Sequence, residues 1–465
     1  MRDGAERLLE PVPLFGRTRP LRGALQTASE VRRVDLVAFA ETSEDAGGTR
    51  PHAARRDLRI DALRGLALLM IYVDHIKDNL FARLTYQQFG FSNTAWFFVL
   101  LSGISFALKH ERLIARRGLG ASLLVALRRA QTIYGAHLVS LVLALGAWLS
   151  LIAALGRGRN DLSALSGFEH FLSEPLSALT CYLTLSYQPQ FFDVLQLYLL
   201  LVCAGPLMLW GLRTSPRLTT FASLAAYALV QIRPDACNLP AWHAPSGWSF
   251  TPLGWQLVFF LGLAIGTRRF PRFRDVQTRR VVVGLSLAFV LVAAATRLCA
   301  SIDVLHDALG GESAPWLVGN ARRAVWLEQV HPLTIVHALA VLTLLNVWCR
   351  PDAAWLRSRW MRPFIELGRH SLEVFATGSV LTVLATELVV ALRPSLLGLF
   401  AINLAGCLLL WGVARFLTIA RSAERIRTLA REMPAVAREA EPRWDAPGSS
   451  AELAGPELAR VDARS

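Results

Sequence analysis

Asp61-Ala-Leu-Arg-Gly-Leu-Ala-Leu-Leu-Met-Ile-Tyr-Val-Asp-His-Ile-Lys-Asp-Asn79 decides the fold class of this chain. Its middle is apolar enough for a membrane helix, yet it carries Asp61, Arg64, Asp74, His75, Lys77 and Asp78. Ionisable side chains are costly in hydrocarbon and are kept there mainly where they face a protein interior or a watery cavity. At about 100° per residue, Arg64 and His75 return to nearly the same face, roughly 20° apart and about 16 Å along the axis. Asp61, Leu68, Ile71, Asp78 and Asn79 fall near that line, whereas Asp74 and Lys77 point elsewhere. One reading is a polar working stripe on a helix that otherwise belongs in lipid. The other is an ordinary span whose charges sit at its ends, with Asp61 near the N-terminal dipole and Arg64 snorkelling.

The rest of the chain extends this pattern. Of 465 residues, 53% are hydrophobic and 18% charged, a balance that points to a polytopic membrane protein. The net charge of +14 is carried almost wholly by Arg, since Lys occurs only at Lys77 and Lys109. The Arg residues sit in short clusters between apolar runs, which is a topology signal and argues against a nucleic-acid partner. Ten spans are expected, at about 61–81, 91–110, 130–155, 191–212, 218–233, 252–268, 280–299, 330–349, 364–391 and 396–418.

Loop charge tests the count. Arg112–Arg117, Arg213 and Arg217, Arg268–Arg274, and Arg350–Arg362 would lie on one side. The alternate loops are mixed or acidic. The positive-inside rule then puts both termini in the cytoplasm. The expected architecture is an all-α integral membrane helix bundle. Residues 1–56 read as a poorly ordered basic cytoplasmic arm, 57–420 as the membrane domain, and 421–465 as a tail that is helical and then disordered.

Two outer segments stand out. Residues 167–190 contain an apolar portion, 175–187, too short to span. Trp242, Trp248 and Trp255 lie among prolines, as an interfacial aromatic belt or as a sugar-stacking surface. The six cysteines lack metal-ligand spacing, so no metal site is expected. Cys181, Cys237 and Cys299 share one side of the proposed topology, which leaves a disulfide among them open.

Four stretches carry a further signal: Asp61 to Ile71 with Asp74-His75-Ile76; Phe89-Gly-Phe-Ser-Asn-Thr-Ala with Phe98-Val-Leu-Leu-Ser-Gly103; Tyr187-Gln-Pro with Phe192 to Tyr198 and Pro252-Leu-Gly-Trp-Gln256; and Leu367-Gly-Arg-His-Ser-Leu-Glu-Val-Phe375. Together they resemble the OpgC protein family, bacterial inner-membrane proteins that succinylate osmoregulated periplasmic glucans, a family related to the membrane-bound acyltransferase family 3. The likeness covers about residues 57–420. Asn93 and Trp96 stand where that family usually has acids, and Gln196 where it usually has Pro.

The resemblance implies acyl transfer from cytoplasmic succinyl-CoA to hydroxyls of a periplasmic glucan, with membrane lipid around the bundle. Such a reaction needs a base at the hydroxyl and stabilisation of an oxyanion. His75 suits the first role, with an unperturbed pKa of about 6.5; carrying the acyl group covalently is the other role open to it. Arg64 is expected to pair with Asp61 or the donor, and Asp78 to orient His75. Arg369 and His370 are candidates for the donor's phosphates, a place the positive-inside rule would equally give them, and His137 could line the donor path, although a lone His in a bundle is more often a hydrogen-bonded packing residue. Asp193, Asn93 and Trp255 are candidates for the acceptor. Acetyl transfer to another envelope glycan, or transport of a glucan or small anion along the polar stripe, are the rival functions. The oligomeric state is not legible.

Overall fold

The computed structural model describes residues 57–156, 167–267, 276–301, 330–351 and 353–432. The N-terminal arm, the Arg268–Arg274 cluster, the side chain of Cys299 and the tail beyond residue 432 lie outside the described residues. Within them the fold is helical, with α1 Leu58–His75, α2 Thr94–Leu155, α3 Glu169–Ser173, α4 Pro175–Leu183, α5 Asp193–Thr214, α6 Pro216–Ile232 and α7 Pro234–Cys237. Then follow α8 Pro252–Gly266, α9 Val276–Ser301, α10 Pro332–Trp348, α11 Arg362–Arg369, α12 Ser371–Leu392 and α13 Leu396–Glu432.

Five of these, α2, α5, α9, α12 and α13, are long and apolar enough to cross a membrane, and α8 and α10 are shorter apolar helices. Their outward faces are greasy. Val139, Val142 and Leu143 on α2, Leu285 and Leu291 on α9, and Leu397, Leu408 and Leu409 on α13 are all exposed. In water such faces would seek partners; against lipid tails they cost nothing.

The helices depart from the expected spans in three places. Residues 111–129, expected as a loop, are helical, because Glu, Arg, Ala and Leu favour helix. Only Gly118 leaves helical geometry, at φ 80° and ψ 178°, and kinks α2 there. Second, the span expected over 364–391 is broken at His370 (φ −109°, ψ 36°) into α11 and α12. Third, α1 stops at His75 rather than running past residue 79. Asp78 takes a left-handed φ of 56°, and Asn79 caps the 3-10 turn Leu80–Leu84 by accepting from the Phe81 N–H. Asn79 is also clamped, donating to the Val73 carbonyl at 2.8 Å and exchanging two amide hydrogen bonds with Asn403 of α13.

Close backbone approach fixes the inner helices. Cβ atoms built on Gly103 of α2 and Gly262 of α8 would lie 2.3 Å from carbonyl oxygens of Phe259 and Leu100. Small residues at such a crossing let two membrane helices touch along their backbones. The α1–α11 crossing is tighter still. A Cβ on Gly65 would lie 1.9 Å from the Phe364 carbonyl oxygen, and one on Gly368 would lie 1.9 Å from that of Asp61. Around these crossings the core is aromatic, including Trp255 against Trp96 (ring centroids 5.4 Å) and Phe250 (5.0 Å). Trp255 is fully buried, and Cys181 and Cys237 are free thiols, so they form no disulfide.

Candidate active site

The end of α1 meets the starts of α2 and α5 and the middle of α12. Between them lies a narrow cleft of about 110 Å³, lined by Asp74, His75, Asn93, Thr94, Asp193, Ser379 and Thr382 among aromatic and aliphatic walls. A wider, more open space of about 760 Å³ adjoins it and adds Lys77, Asp78, Arg83, Gln88, Gln190 and Thr386. Asp74, His75 and Phe191 border both.

His75 is the last residue of α1, and its Nδ1 lies 2.7 Å from the Ile71 carbonyl oxygen. A carbonyl oxygen only accepts, so Nδ1 carries the hydrogen. In the neutral ring this leaves Nε2 as the basic nitrogen. Phe191 packs edge-on against the imidazole, at 5.4 Å and 82°. Phe191 itself has φ 76°, a costly conformation for an aromatic residue. Its carbonyl accepts from the Ser379 hydroxyl at 3.0 Å, which fastens the strained residue to α12.

Asp74, which the helical wheel turns away from His75, lines the same cleft. The wheel assumes a helix continuing beyond His75; the cleft instead forms where the helix stops. Thr85 donates to one Asp74 carboxylate oxygen, and Thr94 to the other at 3.1 Å. Thr94 is the first residue of α2, so the positive end of that helix dipole also faces this carboxylate. Asn93 caps α2 by accepting from the Trp96 N–H at 3.4 Å and still borders the cleft. Asp193 opens α5, accepts from the Val194 N–H at 3.0 Å and bonds the Ser249 hydroxyl. Gln196, the residue that departs from the family pattern, holds the neighbouring loop by donating to the Tyr187 carbonyl at 2.9 Å.

Other expected site residues lie elsewhere. Asp78 sits in the outer space beyond the end of α1, and it is the Ile71 carbonyl that holds the His75 ring through Nδ1. Trp255 is sealed in the core and is not part of the cleft lining. His137 is 1% exposed and stacks on Tyr182 at 4.1 Å, away from both spaces. His137 packs, hydrogen-bonded, against Tyr182 of α4.

The charged residues at the start of α1 gather around α11. Asp61 is buried and lies 3.8 Å from Arg369 Nε. Arg64 donates to the Ser371 hydroxyl and lies 5.7 Å from the ring centroid of Phe98, a cleft residue. His370 is buried, and its Nδ1 accepts from Arg421 at 2.9 Å. That assigns the hydrogen to Nε2, which donates to Thr418 at 2.9 Å. Arg421 also bonds Glu373. Glu366, unremarked in the sequence, is 2% exposed and takes Arg362, Trp411 and Arg415 at 3.0, 3.1 and 2.8 Å.

In chemical terms the cleft offers a base with an anchored tautomer, carboxylates and amides that accept from or donate to hydroxyls, and two helix N-termini. A family model described as OpgC protein matches residues 56–422. No curated protein and no solved structure matches the chain.

Proposed function

The chain belongs to the OpgC protein family, and from that premise we propose that it is a membrane O-acyltransferase. It moves a succinyl group from cytoplasmic succinyl-CoA to hydroxyls of periplasmic glucans in the bacterial inner membrane, through a bundle of ten crossings with both ends cytoplasmic. The observation that carries the reading is His75 on the border of two adjoining spaces, its Nδ1 anchored and Nε2 left basic.

In this reading the acceptor enters through the wider space and its hydroxyls bond Asp74, Asn93 and Asp193. His75 Nε2 takes the proton of the reacting hydroxyl as its oxygen attacks the thioester carbonyl. The oxyanion forms near the first turn of α2, where backbone N–H groups and the helix dipole favour negative charge. Collapse breaks the carbon–sulfur bond, and the imidazolium returns its proton to the leaving thiolate. Arg369 and Arg421, about half exposed, are the cations that the donor's phosphates would meet.

One observation favours a second acyl group. Among the described residues the inner cleft is lined by Asp74 and Asp193 and by no Lys or Arg. A succinyl carboxylate would therefore need Arg64, beside Phe98, whereas an acetyl group needs no cation. Purified protein supplied with each thioester and a neutral glucan separates the cases by the mass added to product. Acyl transfer at the wild-type rate by His75→Ala would refute the base assignment. Movement of glucan across vesicles without any coenzyme A would favour a transporter.

A further inference from the structure

Away from the cleft, the α3 segment meets the turn at 241–244. His170 and His243 lie with their rings parallel, centroids 4.0 Å apart and planes within 5°. His170 Nε2 is 3.7 Å from a Glu169 carboxylate oxygen, and His243 Nε2 is 3.8 Å from one of Glu174. One ligand atom each from His170, Glu174 and His243 falls within 4.8 Å of the others. A separate observation adds to this. Glu169 Oε2 is shut off from solvent and has no hydrogen-bond partner. A carboxylate oxygen in that condition lacks the donor or cation that would stabilise it.

We propose that His170, Glu174 and His243 bind a divalent transition-metal ion of the zinc class, with water in the remaining position and Glu169 as a neighbouring carboxylate beside His170. Two imidazole nitrogens with a carboxylate oxygen are a zinc donor set. Ligand atoms on tetrahedral zinc lie about 3.3 Å apart, so the set must draw in from its present spread. A bound metal lies in the plane of each imidazole, so one of the parallel rings must also turn. The side chains are a quarter to a half exposed, which leaves room for both movements. The ion would tie the 169–174 segment to the 241–244 turn. Trp242 of that turn packs on Tyr187 at 5.0 Å, and its backbone N–H donates to the Ser186 carbonyl at 2.7 Å. The clamp therefore steadies the stretch leading to Phe191 and Asp193.

The test uses the full chain purified in detergent, stripped with a chelator and titrated with Zn²⁺ by calorimetry and with Co²⁺ by visible absorption. One equivalent should bind, with cobalt bands that lack thiolate charge transfer, and the melting temperature should rise. His243→Ala and the near-isosteric Glu174→Gln should each weaken binding at least about tenfold and remove the thermal shift. His331→Ala, outside the cluster, should bind as wild type. No saturable binding by the stripped wild-type chain, or unchanged affinity in both cluster variants, overturns the proposal.

Discussion

Phe191 stands edge-on to His75, its ring centroid 5.4 Å from the imidazole's, and the same residue borders both the inner cleft and the outer space. In the proposed reaction this aromatic wall beside His75 controls which molecule reaches the imidazole. Phe191→Ala should keep the fold, because Ser379 holds the backbone carbonyl and not the ring. The variant should admit water and misplace the acceptor. The expected outcome is a fall of about 10- to 100-fold in transfer with a larger share of simple thioester hydrolysis. Thiol release measured with and without glucan separates the two.

His75→Gln should lower kcat by about 10²- to 10⁴-fold with little change in melting temperature, the range for loss of a general base. Asp78→Asn should remain near wild type, because Asp78 is exposed beyond the end of α1 and Ile71 already fixes the ring. Parallel kinetics on the two purified variants check this; equal losses would return Asp78 to the reaction.

Asp74 accepts from two threonines of different segments, so its position depends on both. Asp74→Asn should raise the KM for the acceptor more than that for the donor. Thr94→Val should follow in the same direction by a smaller factor, the loss of one hydrogen bond to a charged group costing about 1.5–3 kcal/mol at most. Initial rates with each substrate varied in turn give the split.

Gly368→Ala drives a methyl group into the Asp61 carbonyl oxygen, where the ideal position is only 1.9 Å away. Backbone cannot yield as a flexible side chain would, so α1 and α11 must part. The expected destabilisation is about 1–3 kcal/mol or more, read as a lower melting temperature in detergent. Activity should fall with it, because the Asp61–Arg369 pair spans this crossing.

Glu366→Gln leaves Arg362 and Arg415 without their shared carboxylate while keeping an acceptor for Trp411. Both arginines are partly exposed, and water will take over some of their hydrogen bonding. A moderate thermal destabilisation is expected, greater at low salt. Melting curves at two ionic strengths test it.

Much of this protein is legible in its amino-acid order alone. Long apolar runs force helices because hydrocarbon leaves backbone groups no other partner. Charges inside such a run mark α1 as the helix to watch, and His75 does line a cavity. The family pattern likewise points to Asn93 and Asp193, which border the same cleft. What the sequence does not supply is where α1 stops. Helical periodicity extrapolates a straight rod, so it turns Asp74 away and keeps Asp78 on the stripe. The stop depends on Asn79 being gripped by Asn403, more than three hundred residues later. Trp255, His137, Glu366 and the His170–His243 contact depend in the same way on which faces of distant helices and loops meet. Periodicity is local, whereas burial and pairing are set by neighbours that only tertiary packing brings within reach.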